Sequence, residues 1–195
     1  MTKENITIAA LRLFLLRGYK NVSLVDVANE AGITKGGIYH YFMSKDELLH
    51  KVVHYLFDRC EAKYAELFSG EKSLRETLQA IVVGREMEHF IQGLLALDQG
   101  DYRANYTSFA LEVIHSFPDV QERMDRSNGQ FSKIIEEKLQ QGLAKGELRS
   151  DVDAQALAVI IFSMLTGQNS LGTQLNTPVI RQRVVDMLWN LLKAN

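Results

Sequence analysis

The chain has 195 residues, of which 46% are hydrophobic and 24% are charged, so a disordered polyelectrolyte is excluded. The formal charge of -2, from 22 Lys and Arg against 24 Asp and Glu, excludes a strongly basic coat for nucleic acid but leaves room for a local basic site. The single cysteine, Cys60, excludes an intrachain disulfide and, with the lack of an apolar leader, predicts a cytoplasmic protein. The most apolar late stretch, residues 154–165, is too short to span a membrane.

Apolar residues recur at helical spacing in nearly every window, and no sustained alternation marks a strand, so we predict an all-α protein. A capping box of Ser23 and Asp26 begins the second helix, and a box of Ser44 and Glu47 begins a long helix that reaches to about Phe68. The three helices before that long one are predicted over about residues 3–17, 23–32 and 34–42.

Start and stop signals are coarser beyond Gly70. A capping box of Ser73 and Glu76 begins a helix, and Pro118 separates two later helices. Further helices are predicted over about residues 102–116, 119–145, 151–168 and 178–192. We place the domain boundary at the long helix, which gives a small N-terminal domain of residues 1–50 and a larger helical domain of residues 51–195.

Two short helices joined through Ala31-Gly32-Ile33 have the geometry of a helix-turn-helix, in which a tight turn presents the second helix to a DNA major groove. With Ile38 and Phe42 turned inward, helical phase leaves four residues outward that suit a DNA surface, namely Lys35, Gly36, Tyr39 and His40. A helical glycine costs about 0.8–1 kcal/mol relative to Ala, so the Gly36-Gly37 pair indicates a close approach of the backbone to a sugar-phosphate chain. Spacing alone leaves a purely structural corner as an equal alternative.

Phosphate contacts are predicted at two helix starts. Ser23 and Ser44 precede unpaired amides and a positive dipole end, and Lys45 would add a full charge beside the second start. Such contacts set the register on DNA without reading its sequence. Residues 1–50 carry a formal charge of +1 and the remainder -3. Because that difference is small, the placement of these groups is more informative than the net charge.

The start of the chain contains a specific set of short motifs. They are Ala10-Leu11, Leu13-Phe14, Arg17-Gly18-Tyr19, Val22-Ser23, Asp26-Val27-Ala28, Ala31-Gly32-Ile33, TKGGIYHYF over residues 34–42, Ser44-Lys45 and Leu48-Leu49. In this combination, about the first 50 residues resemble the TetR/AcrR family of transcriptional regulators. By that resemblance, the DNA contacts fall on Ser23, Thr34, Lys35, Gly36, Gly37, Tyr39, His40, Tyr41 and Lys45. Gly37 departs from the Thr or Ser that is more frequent at its position.

The resemblance implies a homodimeric repressor that is not an enzyme, needs no cofactor or metal, and binds a near-palindromic operator in double-stranded DNA. Two-fold symmetry then places the half-sites about one helical turn, roughly 34–36 Å, apart. The domain of residues 51–195 would bind a small-molecule effector and form the dimer interface. Such an effector shifts the DNA-binding equilibrium only by its differential affinity for the two states.

Candidates for effector binding are the aromatic, methionine and histidine residues of the middle helices. They are Met87, Phe90, Tyr102, Tyr106, Phe109, His115, Met124 and Phe131. A solid core is the alternative for most of them, because residues at helical spacing look alike in both settings. We expect an apolar effector, since no cluster of arginines stands in this part of the sequence.

The last two predicted helices each carry an apolar stripe, and small residues such as Ala158, Ser163 and Gly167 indicate close packing. Together with the resemblance, the stripes predict a four-helix interface across a two-fold axis. Its candidates are Leu157, Ile161, Met164, Leu165, Val184, Leu188 and Leu191. An intramolecular core is the alternative.

A metal site receives little support. His50 and His54 lie four residues apart, with Glu47 one turn earlier, but a clear fourth ligand is lacking. A similarly weak group consists of Glu86, Glu88 and His89. A metal-dependent enzyme and a helical scaffold without DNA binding are the alternative functions, although the sequence contains no nucleophile elbow, phosphate loop or recognised metal signature.

Overall fold

A computed structural model of the chain describes residues 2–96, 106–114, 116–168, 171–172 and 174–194. The helices are α1 (Lys3–Arg17), α2 (Leu24–Glu30), α3 (Lys35–Ile38), α4 (Lys45–Ser69), α5 (Leu74–Leu78), a π-helical turn (Gln79–Val83), α6 (Glu86–Leu95), α7 (Tyr106–Ile114), α8 (Pro118–Ala144), α9 (Ala154–Gly167) and α10 (Pro178–Leu192). Within the described ranges, the one extended pairing is an isolated bridge between Leu148 and Lys193. The predicted all-α fold class is therefore confirmed. Among these helices, none combines the length and apolarity of a membrane span.

Helices α2 and α5 begin at the capping boxes that the sequence predicts. The Ser23 Oγ accepts a hydrogen bond from the Asp26 amide at 3.2 Å, and the Asp26 carboxylate accepts one from the Ser23 amide at 2.7 Å. Ser73 and Glu76 repeat the arrangement at 3.2 and 2.8 Å. Each box satisfies amides that have no partner inside the helix, which is worth on the order of 1 kcal/mol.

The helix that begins at Ser73 is short and regular only to Leu78. It widens into the π-helical turn, where the Gly84 amide donates to the Gln79 carbonyl at 3.0 Å. A Cβ at Gly84 would lie 2.7 Å from the Ala80 carbonyl oxygen, so this turn requires glycine. Arg85 follows with φ +55°, a left-handed conformation that is rare for residues other than glycine. No sequence signature marks a left-handed arginine, so the start of α6 directly after Arg85 is a finding of the structure.

The chain divides into two compact units. The first unit comprises residues 1–60 and 90–126, and the second comprises residues 61–89 and 127–195. This division differs from a boundary at residue 50, because α4 continues past that position and the segment 90–126 belongs with the N-terminal helices. The functional boundary between residues 1–50 and 51–195 stays a prediction.

The N-terminal helices pack through large apolar side chains in the first unit. Phe14 of α1 is fully buried, stacks on Phe109 of α7 at 6.2 Å between ring centroids, and meets the edge of the Tyr19 ring at 5.3 Å. The same core buries residues from α1, α2, the α3 region and α4, which include Ile6, Leu11, Val27, Ala28, Ile38, Phe42, Leu48 and Leu49. This packing sets the orientation of α2 and α3.

The second unit corrects the predicted dimer interface. Leu157, Ile161 and Leu165 of α9 are buried in the core of this unit, so they are not available to a partner. Met164 and Leu188 are only partly buried against that core, whereas Val184 and Leu191 are exposed. The face of α9 that is predicted to meet a partner therefore packs inward instead. Its exposed face carries Val159 and Ile160, which are 53% and 60% exposed.

Candidate nucleic-acid interface

Helices α2 and α3 are joined by a tight turn. Gly32 has φ +68°, and the amide of Ile33 donates to the carbonyl of Ala28 at 2.9 Å. The positive φ suits glycine, because a side chain at that angle would clash with the backbone. The Thr34 Oγ1 then accepts a hydrogen bond from the Gly37 amide at 3.0 Å and caps α3. The geometry is that of a helix-turn-helix.

The exposed face of α3 agrees with the helical phase. Ile38 and Phe42 are 0% and 1% exposed, whereas Tyr39 is 49% exposed. Regular α-helix ends at Ile38, earlier than predicted, but a further turn continues through bonds from the Tyr41 and Phe42 amides to the Ile38 carbonyl, both at 3.0 Å. That turn keeps Phe42 inward. The outward residues of the segment are Thr34, Lys35, Gly36, Tyr39, His40 and Tyr41.

The two glycines of α3 stand in different surroundings. A Cβ at Gly36 would meet no atom within 4 Å. A Cβ at Gly37 would lie 3.2 Å from the Thr34 Oγ1, the atom that caps the helix. The fold by itself therefore favours a small residue at Gly37 but leaves space at Gly36. The free space at Gly36 is consistent with a group outside the protein that approaches the backbone there.

Lys45 departs from its predicted role. Its ammonium donates to the carbonyls of Tyr19 and Val22 at 3.0 and 2.9 Å, and it lies 4.2 Å from the centroid of the Tyr19 ring. The side chain is thus engaged with the turn before α2 rather than presented to a phosphate. The sequence shows only that Lys45 lies at the start of α4. It does not reveal that the carbonyls of Tyr19 and Val22 lie within reach of its side chain.

The predicted phosphate-binding serines both act as caps. The Ser23 hydroxyl donates to the Asp26 carboxylate, and the two hydrogen bonds from Ser23 hold the pKa of Asp26 below its usual value. The Ser44 Oγ accepts from the Glu47 amide at 3.0 Å, while the Glu47 carboxylate accepts from the Met43 amide at 2.8 Å. Both serines are exposed. A phosphate at Ser23 would have to share its hydroxyl with Asp26.

Glu112 of α7 binds the turn between α1 and α2, a contact that the sequence does not predict. Its carboxylate accepts hydrogen bonds from the Tyr19 amide at 2.9 Å and the Lys20 amide at 2.8 Å, in the turn between α1 and α2. The Tyr19 ring meets the edge of Phe117 at 5.6 Å, and its hydroxyl donates to Asp46. Burial, and then the bond to Asp46, raise the pKa of Tyr19 above its usual value. No local pattern links α7 to this turn.

Replacing Glu112 with Ala should lower the free energy of unfolding by about 1–2 kcal/mol, because two backbone amides lose a charged acceptor. Urea unfolding followed by far-ultraviolet circular dichroism measures the change. Glu122→Ala is the matched control, since its ion pair with Arg126 is exposed on both sides and should contribute less than about 1 kcal/mol. Equal losses in the two variants would contradict the role of Glu112.

Two of the residues considered for metal binding, His50 and Glu88, have other contacts. The His50 Nδ1 lies 2.7 Å from an Asp119 carboxylate oxygen, and the His50 ring meets the edge of Phe117 at 5.7 Å. Glu88 forms an ion pair with Arg85. Across the described part of the chain, no group of three or more His, Cys, Asp or Glu side chains converges on a common point.

The predicted effector residues are divided between the two units. Phe90, Phe109 and Met124 belong to the first unit, and Met87 and Phe131 belong to the second. Phe109 and Phe131 are buried as core, at 5% and 6% exposure, which agrees with the alternative stated for them. Met87 lines a small cavity in the second unit. The remaining candidates lie outside the described residues or side chains, namely Tyr102, Tyr106 and His115.

Both ends of the chain match known families. Residues 6–52 match the family model of bacterial regulatory proteins, tetR family, and residues 105–188 match that of the tetracyclin repressor-like C-terminal domain. The HTH-type transcriptional repressor KstR2 of Rhodococcus jostii is 29% identical over 158 residues, which cover 78% of this chain and 70% of that protein. The HTH-type transcriptional regulator TtgR of Pseudomonas putida is 28% identical over 173 residues, which cover 85% and 77%.

The fold also matches solved structures. The crystal structure of reduced Escherichia coli NemR superimposes with a TM-score of 0.78 over 100% of both chains, at 19% sequence identity. At that identity the likeness concerns the fold alone. The match over residues 6–52 includes the helix-turn-helix formed by α2 and α3. The exposed face of α3 is therefore the surface of the first unit that bears on function.

Proposed function

Since this chain belongs to the TetR family of transcriptional regulators and is not an enzyme, we propose that it acts in the cytoplasm as a homodimeric repressor released from DNA by a small molecule. The observation that carries the proposal is the exposed face of α3 directly after the helix-turn-helix turn. Tyr39, at 49% exposure, and His40 stand outward there while Ile38 is sealed in the core. Large exposed side chains on a rigid helix are suited to contact with a groove.

The residues of α3 divide into two roles. Tyr39 and His40 would reach base edges, because they project from the middle of the outward face. Thr34 and Lys35 would contact phosphates at its start, and Gly36 would permit the close approach of the backbone. Contacts from Ser23, Gly37 and Tyr41 remain part of the proposal. Lys45 would support the interface by holding the turn before α2 in place.

The exposed apolar residues of the second unit support the proposed dimer. Val159 and Ile160 of α9 lie on the face opposite to its buried residues, and Met187 and Leu191 of α10 are 64% and 59% exposed. Exposed apolar residues concentrated on two helices favour association, and a two-fold axis would let each face meet its own copy. Two recognition helices related by such an axis read a near-palindromic operator with half-sites roughly 34–36 Å apart.

Replacing Gly36 with Ala should affect stability and DNA binding in opposite directions. The new methyl group meets no protein atom, so the variant should be more stable by up to about 1 kcal/mol. The same methyl group would collide with DNA at the closest approach and weaken the complex about 10- to 100-fold. Urea unfolding measures the first effect, and fluorescence anisotropy with the intergenic DNA beside the gene measures the second.

Gly129→Ala in the middle of α8 is the matched control. A Cβ there also meets no atom within 4 Å, so its helix should gain similar stability without any change in DNA affinity. The proposal fails if the wild-type protein forms no sequence-specific complex at any salt concentration, as a DNA-independent scaffold would. If the Gly36→Ala and Gly129→Ala variants bind DNA with equal affinity, the proposed contact between DNA and this face of α3 is wrong.

A further inference from the structure

The second unit contains a small polar cavity of about 40 Å³. Two arginines that are far apart in the sequence, Arg85 and Arg181, line it together with Glu88 and Asn176. Two guanidinium groups and one carboxylate leave this site with a formal charge of +1. The sequence predicts an apolar effector because no arginines cluster along this part of the chain, whereas the fold brings two arginines to one cavity.

Arg181 has one buried donor without a partner. Its Nη1 donates to the Asn176 carbonyl at 2.6 Å and to the Asn176 Oδ1 at 3.3 Å. Its Nε is buried and finds no hydrogen-bond acceptor within the described part of the chain. Buried donors are nearly always paired in folded proteins, so this N–H requires an acceptor from elsewhere. The edge formed by Nε and Nη2 matches the two oxygens of a carboxylate.

Arg85 places a second positive charge at the same cavity. It sits in the left-handed conformation after the π-helical turn, and its guanidinium pairs with Glu88. Burial, and then the neighbouring charge of Arg85, lower the pKa of Arg181. Unusual backbone conformations are often kept where a side chain must point to a functional site. An anion would relieve the repulsion between the two guanidinium groups.

The remaining wall of the cavity is mixed and the space is small. Ile81, Met87 and Leu165 contribute apolar side chains, and Tyr64 and Gln168 contribute polar groups. A volume of about 40 Å³ holds a few water molecules, which is sufficient for a carboxylate head and too small for a large polyanion. An apolar chain attached to the carboxylate would extend out of this space past Met87, which is only partly buried. The apolar side chains on one part of the wall are therefore suited to an acid with a hydrocarbon part.

A larger groove in the same unit does not offer this chemistry. It has a volume of about 690 Å³ and lies beside the π-helical turn and α10. Its polar side chains already have partners, since Arg75 pairs with Asp186 at 3.0 Å and Gln79 with Gln182 at 2.6 Å. These bonds leave Arg75 and the two amides engaged, whereas the cavity beside Arg181 presents a buried donor without an acceptor.

We propose that the cavity between Arg85 and Arg181 binds the carboxylate of a small amphipathic organic acid, and that this acid is the effector. The Arg181 Nε edge would donate to both carboxylate oxygens, and Arg85 would contribute a second positive charge at the same cavity. The effector role rests on the proposed repressor function, whereas the binding site itself does not. Binding would place the acid against α6, α9 and α10 at once.

Isothermal titration calorimetry of the full chain with sodium octanoate, sodium butanoate, octanamide and sodium phosphate tests the site. We expect the carboxylates to bind, with octanoate tighter than butanoate because its longer chain adds apolar contact. We expect octanamide not to bind and phosphate to bind more weakly than octanoate, because phosphate has no apolar part. Arg181→Gln should weaken octanoate binding about 10- to 100-fold, because a bidentate charged contact is lost. Arg183→Gln is the matched control, since Arg183 is exposed on the same helix.

Several results would overturn the assignment. They are equal octanoate affinity in the Arg181 and Arg183 variants, equal binding of octanoate and octanamide, phosphate binding in place of the carboxylates, or no binding of any probe. If Arg181→Gln fails to fold by circular dichroism, Arg85→Gln provides the same test. Operator affinity measured with and without octanoate separates the two proposals. Arginine-dependent octanoate binding that leaves operator affinity unchanged would overturn the effector role alone, and absence of any operator complex would overturn the repressor function alone.

Discussion

Replacing Ile160 with Glu should convert the protein from a dimer to a monomer and lower its operator affinity at least about 100-fold. Ile160 is 60% exposed on the outer face of α9, beside Val159. A dimer formed through this face would bury two unpaired carboxylates, which costs several kcal/mol. A monomer would contact only one half-site, so the second recognition helix would no longer contribute to affinity.

The neighbouring residue provides the comparison. Ile161 is fully buried in the core of the second unit, so Ile161→Ala should lower the free energy of unfolding by about 2–5 kcal/mol and leave the folded fraction dimeric. Ile160→Glu should leave the folding of each protomer nearly unchanged, since the residue is exposed. Sedimentation equilibrium and urea unfolding measure both properties. If Ile160→Glu stays dimeric, the interface lies on another face.

Replacing Lys45 with Ala should destabilise the protein by about 2–3 kcal/mol without changing the salt dependence of DNA binding. The variant loses two charged hydrogen bonds to the Tyr19 and Val22 carbonyls and the contact with the Tyr19 ring. Affinity should fall at every salt concentration, because the turn before α2 is no longer held. The slope of log affinity against log salt should stay the same, since no phosphate contact is removed.

Lys35→Ala is the matched variant with the opposite expectation. Lys35 is exposed on α3, so its removal should change stability by less than about 0.5 kcal/mol. The salt slope should decrease by about 0.9, as expected for one lost phosphate contact. Urea unfolding and anisotropy titrations at several salt concentrations measure both quantities. A decrease of the slope in the Lys45 variant would restore the phosphate role that the sequence predicts for this residue.

The surface of α3 was accessible to sequence reasoning because it depends on near neighbours. The cap at Thr34 and the inward pair Ile38 and Phe42 lie within a few residues of one another, and their spacing determines which side chains remain outside. The same reasoning placed the outward side chain of Tyr39. It failed for α9, where apolar residues occur on both faces and Ile160 and Ile161 are equivalent in the sequence.

The sequence by itself determined the helical class, the capping boxes at Ser23 and Ser73, and the outward residues of α3. Hydrogen bonds within a helix and its caps join residues three to five positions apart, so short-range patterns contain that information. Only the tertiary structure decided which carbonyls Lys45 meets, which amides Glu112 binds, and that Arg85 and Arg181 line one cavity. These contacts depend on how helices from distant parts of the chain pack against one another. Periodicity along the chain shows which face of a helix is apolar but not which distant helix packs against it.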